Sequence, residues 1–380
     1  MDFRLDSNQK LIQDMVREFA TNELTERAVE IDKSREFPVD NVKKMAELGL
    51  LGIIIPEEYG GGGMDFTSLA IAVEEISKVC ASTGVIMAVN QSLVAYPIIK
   101  YGTDQQKKKY LPMLVKGENI GAFGLTEPNA GSDAASIETT ARLEGEFYVL
   151  NGTKRFITNG EHATIFVVFA KTDVEKKHKG VSAFIVEKGF EGFSVGEHED
   201  LLGLRATGNC ELILDNCRVP KENLLGEEGE GFKIAMHTID TSRIDIGAQA
   251  VGIAQGALDA ALQYSKERKT FGRPICEYEM IQSKLAEMAT RIDAARLLVY
   301  RAASLKDSGA ERFSKEAAMA KYMAAEACMY CVRESVQIFG GYGYTKDYPV
   351  ERFYRDAKVM EIYEGTSEIQ KIVIARSLLK

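Results

Sequence analysis

The chain has no tryptophan, 8 prolines, 6 cysteines and 4 histidines in 380 residues. His162, His178, His198 and His237 lie far apart, so no zinc-type ligand spacing is present. Cys80, Cys210, Cys217, Cys276, Cys328 and Cys331 are scattered, four of them in apolar or helical contexts, and are expected as free, buried thiols. The pair in "CMYC", 328–331, has redox-type spacing but sits mid-helix with no strand before it. No uninterrupted apolar run approaches the roughly 20 residues that cross a bilayer. Net charge is −9 with no long block of Lys and Arg, which excludes nucleic-acid binding as a main task. The opening "MDFRLDSNQKLIQDMVREF" is amphipathic and carries acids, unlike a secretory or transit segment. A mature, cytoplasmic-type chain without a targeting segment is expected.

What is present is a balanced globular composition, 45% hydrophobic and 27% charged, in a chain long enough for two or three domains. Residues 1–115 hold apolar spacings of three and four, as in "SLAIAVEEISKVCAS", and read as helices. Near residue 120 the pattern changes. "EFYVLNGTKRFITNG" places an Asn-Gly turn between β-favouring segments, and "ATIFVVFAK", "GVSAFIVEK" and "CELILDNCRVP" are rich in β-branched and aromatic residues. A small antiparallel β domain is expected there. From residue 231, three long helical stretches and a shorter pair suggest an antiparallel bundle. Gly247, Gly252 and Gly256 in the first of these stretches fit either close helix packing or a flat ligand.

Several loops are candidates for chemistry. "YGGGGMD", 59–65, lacks the strand and the Lys-Ser/Thr of a phosphate loop and reads as a flexible connection. "GLTEPNAGSDAAS", 124–136, and "RFITNG", 155–160, suit either plain connections or loops wrapping a polar ring edge. "ERKTFGRP", 267–274, ends a helix on basic residues, and "IFGGYGYTKDYPVERFYRD", 338–356, breaks another with glycines. "MEIYEGTSEIQ", 360–370, sets Glu364 before Gly365, with Thr366 as N-cap of the next helix. The helix end would favour an ionised carboxylate, whereas an apolar pocket would raise its pKa and strengthen it as a base. A surface acid and a base both remain open on composition.

Taken together and in order, "GLTEPNAGSD", "RFITNG", "ERKTFGRP", "QIFGGYGYTKDYPVER" and "IYEGTSEIQ" resemble the acyl-CoA dehydrogenase family over essentially the whole chain, with a short-chain, butyryl-CoA dehydrogenase-like character. The resemblance implies an α+β multidomain fold: a helical N-terminal domain (1–120), an antiparallel β-barrel-like middle domain (121–228) and a C-terminal four-helix bundle (229–380). It implies FAD as cofactor, an acyl-CoA substrate, electron-transferring flavoprotein as partner and a homotetramer. Glu364 would be the base that removes the α-proton. Phe123, Leu125, Thr126, Ser132, Phe156 and Thr158 resemble segments lining the flavin ring. Arg268 and Phe271, with Gln337 and Gly341 of a neighbouring subunit, resemble the diphosphate and adenosine contacts, and Thr366 and Glu368 further FAD contacts. Ser132, Asp240, Arg243, Tyr363 and Gly365 match positions at the CoA thioester.

Three positions depart from or discriminate within the family. Glu279 stands where many relatives have Gln at an FAD contact. Gly84 occupies the place of an arginine in the glutaryl-CoA branch, which argues against a dicarboxylic substrate. Asp245 replaces a small or apolar residue: it either pairs with a nearby Arg or faces solvent, or it narrows or polarises the acyl pocket toward short, compact branched or cyclic groups. Ser242 lies where some relatives place their base and cannot serve as one. The same site suits an enoyl-CoA reductase run toward the saturated product. A non-catalytic flavin- or CoA-binding assembly factor is the alternative of another class.

Overall fold

The computed structural model describes residues 4–310 and 312–379. Its first third is helical: α1 (Ser7–Phe19), α2 (Thr25–Ser34), α3 (Val39–Glu47), α4 (Phe66–Ser77), α5 (Ala81–Ala88), α6 (Tyr96–Tyr101) and α7 (Asp104–Val115). The helix starts follow the local chemistry. Asp6 opens α1 and Thr103 opens α7, each in a reciprocal capping box with a glutamine three residues on. A π-helical turn, Val89–Ala95, joins α5 to α6. The stretch Ala81–Tyr101 is long and apolar enough by composition to cross a membrane, but its most apolar window is 94% buried inside the fold as a core helix.

The "YGGGGMD" loop is not a loose connection. Gly62, Gly63 and Met64 amides donate to Gly52, Ile55 and Ile53 carbonyls, each at 2.8 Å. A Cβ on Gly61 would strike the Ile55 carbonyl, so glycine there permits backbone-on-backbone packing.

The middle region is a sheet of β1 (Gly121–Gly124), β2 (Thr140–Glu144), β3 (Phe147–Ile157), β4 (Ile165–Lys171), β5 (Val181–Glu187), β6 (Phe193–His198), β7 (Cys210–Pro220) and β8 (Leu224–Leu225). The order is β6-β7-β3-β2-β4-β5-β8, with β1 beside β4. Its pairings are mostly antiparallel, as expected, with two parallel exceptions. β1 pairs with β4 in parallel, and Thr140 of β2 meets Lys171 of β4 the same way, because the chain enters from a helix rather than a hairpin. A register shift in β3 between Lys154 and Ile157 holds Phe156 at φ 60°, which turns its ring outward, 54% exposed.

The final third begins with α8 (Gly231–Glu267), followed by the small hairpin β9 (Lys269–Thr270) and β10 (Arg273–Pro274), then α9 (Glu279–Asp307), α10 (Ser314–Phe339), α11 (Val350–Ala357) and α12 (Ser367–Leu378). α8 is the axis of the molecule, buried continuously from Thr241 to Ala254. Its glycines serve packing, not a ligand. A Cβ on Gly252 or Gly256 would strike the carbonyls of Glu74 or Lys78 at the end of α4, and Gly247 faces Val299. Five of the six cysteines are buried, Cys328 and Cys331 within α10 among them, and all six are free thiols. No cluster of three potential metal ligands occurs among the described residues.

Candidate functional site

The turn carrying Glu364 is strained and pinned. Glu364 has φ 55° and Gly365 φ 92°, and the first of these is a conformation that a non-glycine residue rarely adopts. Side chains from three helices hold the turn. Arg243 Nε of α8 donates to the Glu364 carbonyl at 3.1 Å, and Lys321 Nζ of α10 to the Gly365 carbonyl at 2.8 Å. Gln370 Nε2 of α12 donates to both carbonyls, at 3.0 and 2.8 Å. A Cβ on Gly365 would lie 2.7 Å from that same amide and would displace it, and φ 92° strains any larger residue there. Thr366 caps α12 by accepting from the Ile369 amide at 3.3 Å, as its position implies.

The carboxyl group is set for proton transfer. Ser242 Oγ of α8 donates to Glu364 Oε2 at 2.6 Å. Desolvation raises the Glu364 pKa above its ordinary value, while the Ser242 hydrogen bond and the charges of Arg243 and Lys321 pull it back. Lys321 is itself lowered to about 8 by burial. Arg243 is shared with Asp240 at 2.7 Å, and Asp240 also accepts from Ser314. Ser242, whose hydroxyl is no base at neutral pH, is the hydrogen-bond partner of the Glu364 carboxyl. Nothing local in the sequence reveals this, because the partners are 122 residues apart.

Thr238, Ser242, Asp245 and Gln249 follow at helical spacing and share one face of α8. At its inner end Gln249 Nε2 donates to the Ala81 carbonyl at 2.9 Å, and the Tyr363 hydroxyl donates to Gln249 Oε1. Between Ser242 and Gln249 lies Asp245, wholly buried, with neither carboxyl oxygen hydrogen-bonded. It has neither the arginine partner nor the solvent that an ordinary carboxylate would need. Burial drives its pKa well above the usual value, the nearby Ser92 opposing and the charge of Glu364 adding to the rise. The Ser92 hydroxyl donates its proton to the Ala88 carbonyl at 2.8 Å, which leaves its oxygen able only to accept from Asp245. Gly84 packs against α4, where a side chain would strike Ser77 Oγ, so there is no room for a carboxylate-binding arginine.

In the β domain the two candidate flavin segments lie side by side. The Arg155 amide donates to the Thr126 carbonyl at 2.9 Å, bringing Phe123, Leu125 and Thr126 next to Phe156 and Thr158. Ser132 lies further along the same loop, on the surface. Beneath the loop, Lys154 Nζ meets Glu127 Oε1 at 2.6 Å, a fully buried pair. Glu127 Oε1 also accepts from the Thr139 amide at 3.1 Å and its hydroxyl at 2.5 Å. Burial alone would raise the Glu127 pKa, but the Lys154 charge and the Glu138 amide carry it below the ordinary value. Burial pulls Lys154 down to about 8. The opposed tendencies mark the pair as a positional clamp rather than a source of net stability.

A second group collects at the far end of α8. Arg268 and Gly341 line one cavity of about 520 Å³ with Tyr264, Thr270, Phe339 and Tyr342. Phe271 projects from the β9–β10 hairpin, 98% exposed. Gln337 is exposed near the end of α10, where its carbonyl accepts from the Gly340 amide. Glu279 starts α9 and Glu368 lies in the first turn of α12, both at the surface. Arg268 ends the helix on which Arg243 sits, so at 1.5 Å per residue the two are roughly 35 Å apart. One chain does not bring the two groups together.

The residues present fit the FAD that the resemblance implies. Ser367 Oγ and Gln370 Oε1 are buried without partners at the Glu364 turn, and so is Asn209 Oδ1 in the β domain, where Asn209 Nδ2 donates to Thr158 Oγ1 at 3.4 Å and Phe156, two residues before Thr158, offers an exposed ring. Unmet polar atoms flanking an aromatic face suit a flat ring with polar edges.

Comparison with known proteins agrees. Residues 6–118, 122–217 and 229–379 match the N-terminal, middle and C-terminal domain models of acyl-CoA dehydrogenase. The chain is 54% identical over 380 residues to the short-chain specific acyl-CoA dehydrogenase of Clostridium acetobutylicum, covering 100% of both. It is 51% identical to the acryloyl-CoA reductase (NADH) of Anaerotignum propionicum, covering 100% of this chain and 96% of that one. Among solved structures, a chain reported with the electron transferring flavoprotein of Acidaminococcus fermentans superposes with TM-score 0.98 at 52% identity, 100% of each chain covered. The butyryl-CoA dehydrogenase of Megasphaera elsdenii does so with TM-score 0.98 at 45% identity, again over 100% of each. With all three domains matched in order and half the residues shared over full length, the chain belongs to the acyl-CoA dehydrogenase family of FAD-dependent oxidoreductases.

Proposed function

We propose that the protein desaturates a short, butyryl-like acyl-CoA between Cα and Cβ, with Glu364 as the base that takes the α-proton. The observation that carries this reading is the Glu364 carboxyl itself, desolvated, aligned by Ser242 at 2.6 Å and fixed on a turn that three helices pin. An α-proton of a thioester is weakly acidic, so removing it requires stabilisation of the charge that develops on the carbonyl oxygen. The Glu364 backbone amide is the donor this chain offers, and Gly365 keeps its approach open. Asp240 and Arg243 orient the thioester end of the substrate. Bound FAD supplies the acceptor for the hydride leaving Cβ. Phe123, Leu125, Thr126, Ser132, Phe156, Thr158, Thr366 and Glu368 hold and orient it.

Chain length is limited by the Gln249–Tyr363–Ala81 contact, which closes the inner end of the α8 face. The distant group of Arg268, Phe271, Gln337 and Gly341 serves the cofactor of a second copy, which makes the active form a homo-oligomer, a homotetramer by family likeness. Electron-transferring flavoprotein is the electron partner. Anaerobic titration with butyryl-CoA while flavin absorbance is followed tests the reading. Bleaching in the parent and bleaching slowed by about 10²–10⁴-fold in Glu364→Gln with FAD retained is the expected result; rapid bleaching of that variant would overturn the assignment of the base.

A further inference from the structure

Asp245 is a buried acid that nothing in the protein satisfies. Neither of its oxygens makes a hydrogen bond of normal geometry, and the adjacent Ser92 hydroxyl gives its one proton to the Ala88 carbonyl, so its oxygen is left to accept at most and Asp245 keeps an acceptor without a donor. One face of α8 carries it between Ser242, which holds the base, and Gln249, which closes the inner end. On the same face, two turns outward, the buried Thr238 hydroxyl is also without a partner. Buried polar groups left unpaired in the protein alone are expected to find partners in a ligand.

Depth and chemistry then select the ligand. Three residues along α8 separate Ser242 from Asp245, roughly 4.5 Å of helix rise, which is the reach of two or three carbon–carbon bonds beyond the carbon facing Glu364. A neutral carboxylic acid offers one O–H donor and one carbonyl acceptor. An alcohol gives one hydrogen bond and takes one, so it satisfies both oxygens at once. A second carboxylate would bring like charge beside Glu364, and a plain alkyl group would leave both oxygens unmet.

We infer that Asp245 is a specificity-determining residue that hydrogen-bonds a hydroxyl group on Cγ or Cδ of a short acyl-CoA. The inference rests on the proposed desaturation and names its substrate class more closely. The Cα–Cβ chemistry is unchanged; the hydroxyl is a recognition group and takes no part in bond making or breaking.

The test compares butyryl-, 4-hydroxybutyryl-, pentanoyl- and 5-hydroxypentanoyl-CoA on the parent, Asp245→Ala and Asp245→Asn holoenzymes. Relative kcat/KM is read from flavin bleaching. Dissociation constants come from calorimetry on the Glu364→Gln background, where turnover does not interfere. In the parent at least one hydroxylated ligand binds about tenfold or more tightly than its alkyl counterpart. Asp245→Ala loses that ratio, and Asp245→Asn, which still donates and accepts, keeps most of it. Equal or tighter binding of both alkyl ligands by the parent would overturn the inference, as would a hydroxyl preference that survives Asp245→Ala. Bleaching by butyryl-CoA without any hydroxyl preference defeats this inference alone. No bleaching by any of the four defeats the proposed function and the inference with it.

Discussion

Glu127 in the β domain accepts hydrogen bonds from Lys154, from the amide and hydroxyl of Thr139 and from the Glu138 amide, whereas Asp245 on α8 has no partner of normal hydrogen-bond geometry and only the nearby Ser92 to oppose its burial. Both acids are buried, and their ionisation moves in opposite directions, Glu127 below the ordinary carboxylate value and Asp245 well above it. A carboxylate supplied with donors stays charged and can clamp a loop in one place. One poor in donors is pushed toward its protonated form and keeps hydrogen-bonding capacity for something else. Glu364 stands between the two, with one strong donor in Ser242 and a desolvated setting, which is what a group that must both take and release a proton requires.

Breaking these arrangements one at a time separates the three roles. Glu364→Gln removes the proposed proton acceptor, and flavin bleaching by butyryl-CoA should slow by about 10²–10⁴-fold with FAD content unchanged. Lys154→Met strands the Glu127 charge in the interior and should cost about 3–5 kcal/mol, read as a lower urea midpoint. Replacing both partners together, Glu127→Leu with Lys154→Met, should recover much of that loss. Ser242→Ala should slow bleaching at neutral pH by about tenfold, the equivalent of one hydrogen bond to a charged group. The lost bond favoured the ionised carboxyl, so the variant's pH–rate rise should move to higher pH; an unmoved profile would count against the Ser242–Glu364 link.

Asp245→Ala should have the smallest effect on stability and the opposite sign, a gain of about 1 kcal/mol from removing an unmet polar group. Its pH dependence is specific. With the folded pKa raised, the native state retains a proton that the unfolded chain releases, so stability falls as pH climbs above the ordinary carboxylate range. The advantage of Asp245→Ala should therefore grow from pH 4 to pH 8. A gain independent of pH would show that Asp245 is not held protonated.

Much of the architecture was legible in the residue pattern, because helix periodicity, β-branched runs and caps act over a few neighbours. The cap at Thr366 and the break after Phe339 are local signals of this kind. The expected Asn-Gly turn is absent: Asn151 and Gly152 lie inside β3, at an irregularity in its pairing with β7, and the chain turns at Gly145 between β2 and β3 instead. The parallel pairing of β1 with β4 was not legible, since strand direction depends on where the preceding helix delivers the chain. The "YGGGGMD" loop misled for a related reason. Glycine permits flexibility and close backbone packing alike, and only the carbonyls of Gly52, Ile53 and Ile55 select the second.

The site divides along the same line. Glu364, Gly365 and Thr366 were identifiable as a carboxylate beside a permissive glycine and a helix start, and the ordered motifs indicated the family. The left-handed φ of Glu364, the donation from Ser242 and the isolation of Asp245 belong to the tertiary structure. Residue type sets which hydrogen bonds a side chain is able to make and its pKa in water. Whether those bonds are made, and how far the pKa moves, depends on which distant segments exclude water around it, and in this protein that is decided by the packing of α8 against α10 and the buried α5, with α12 held on α10.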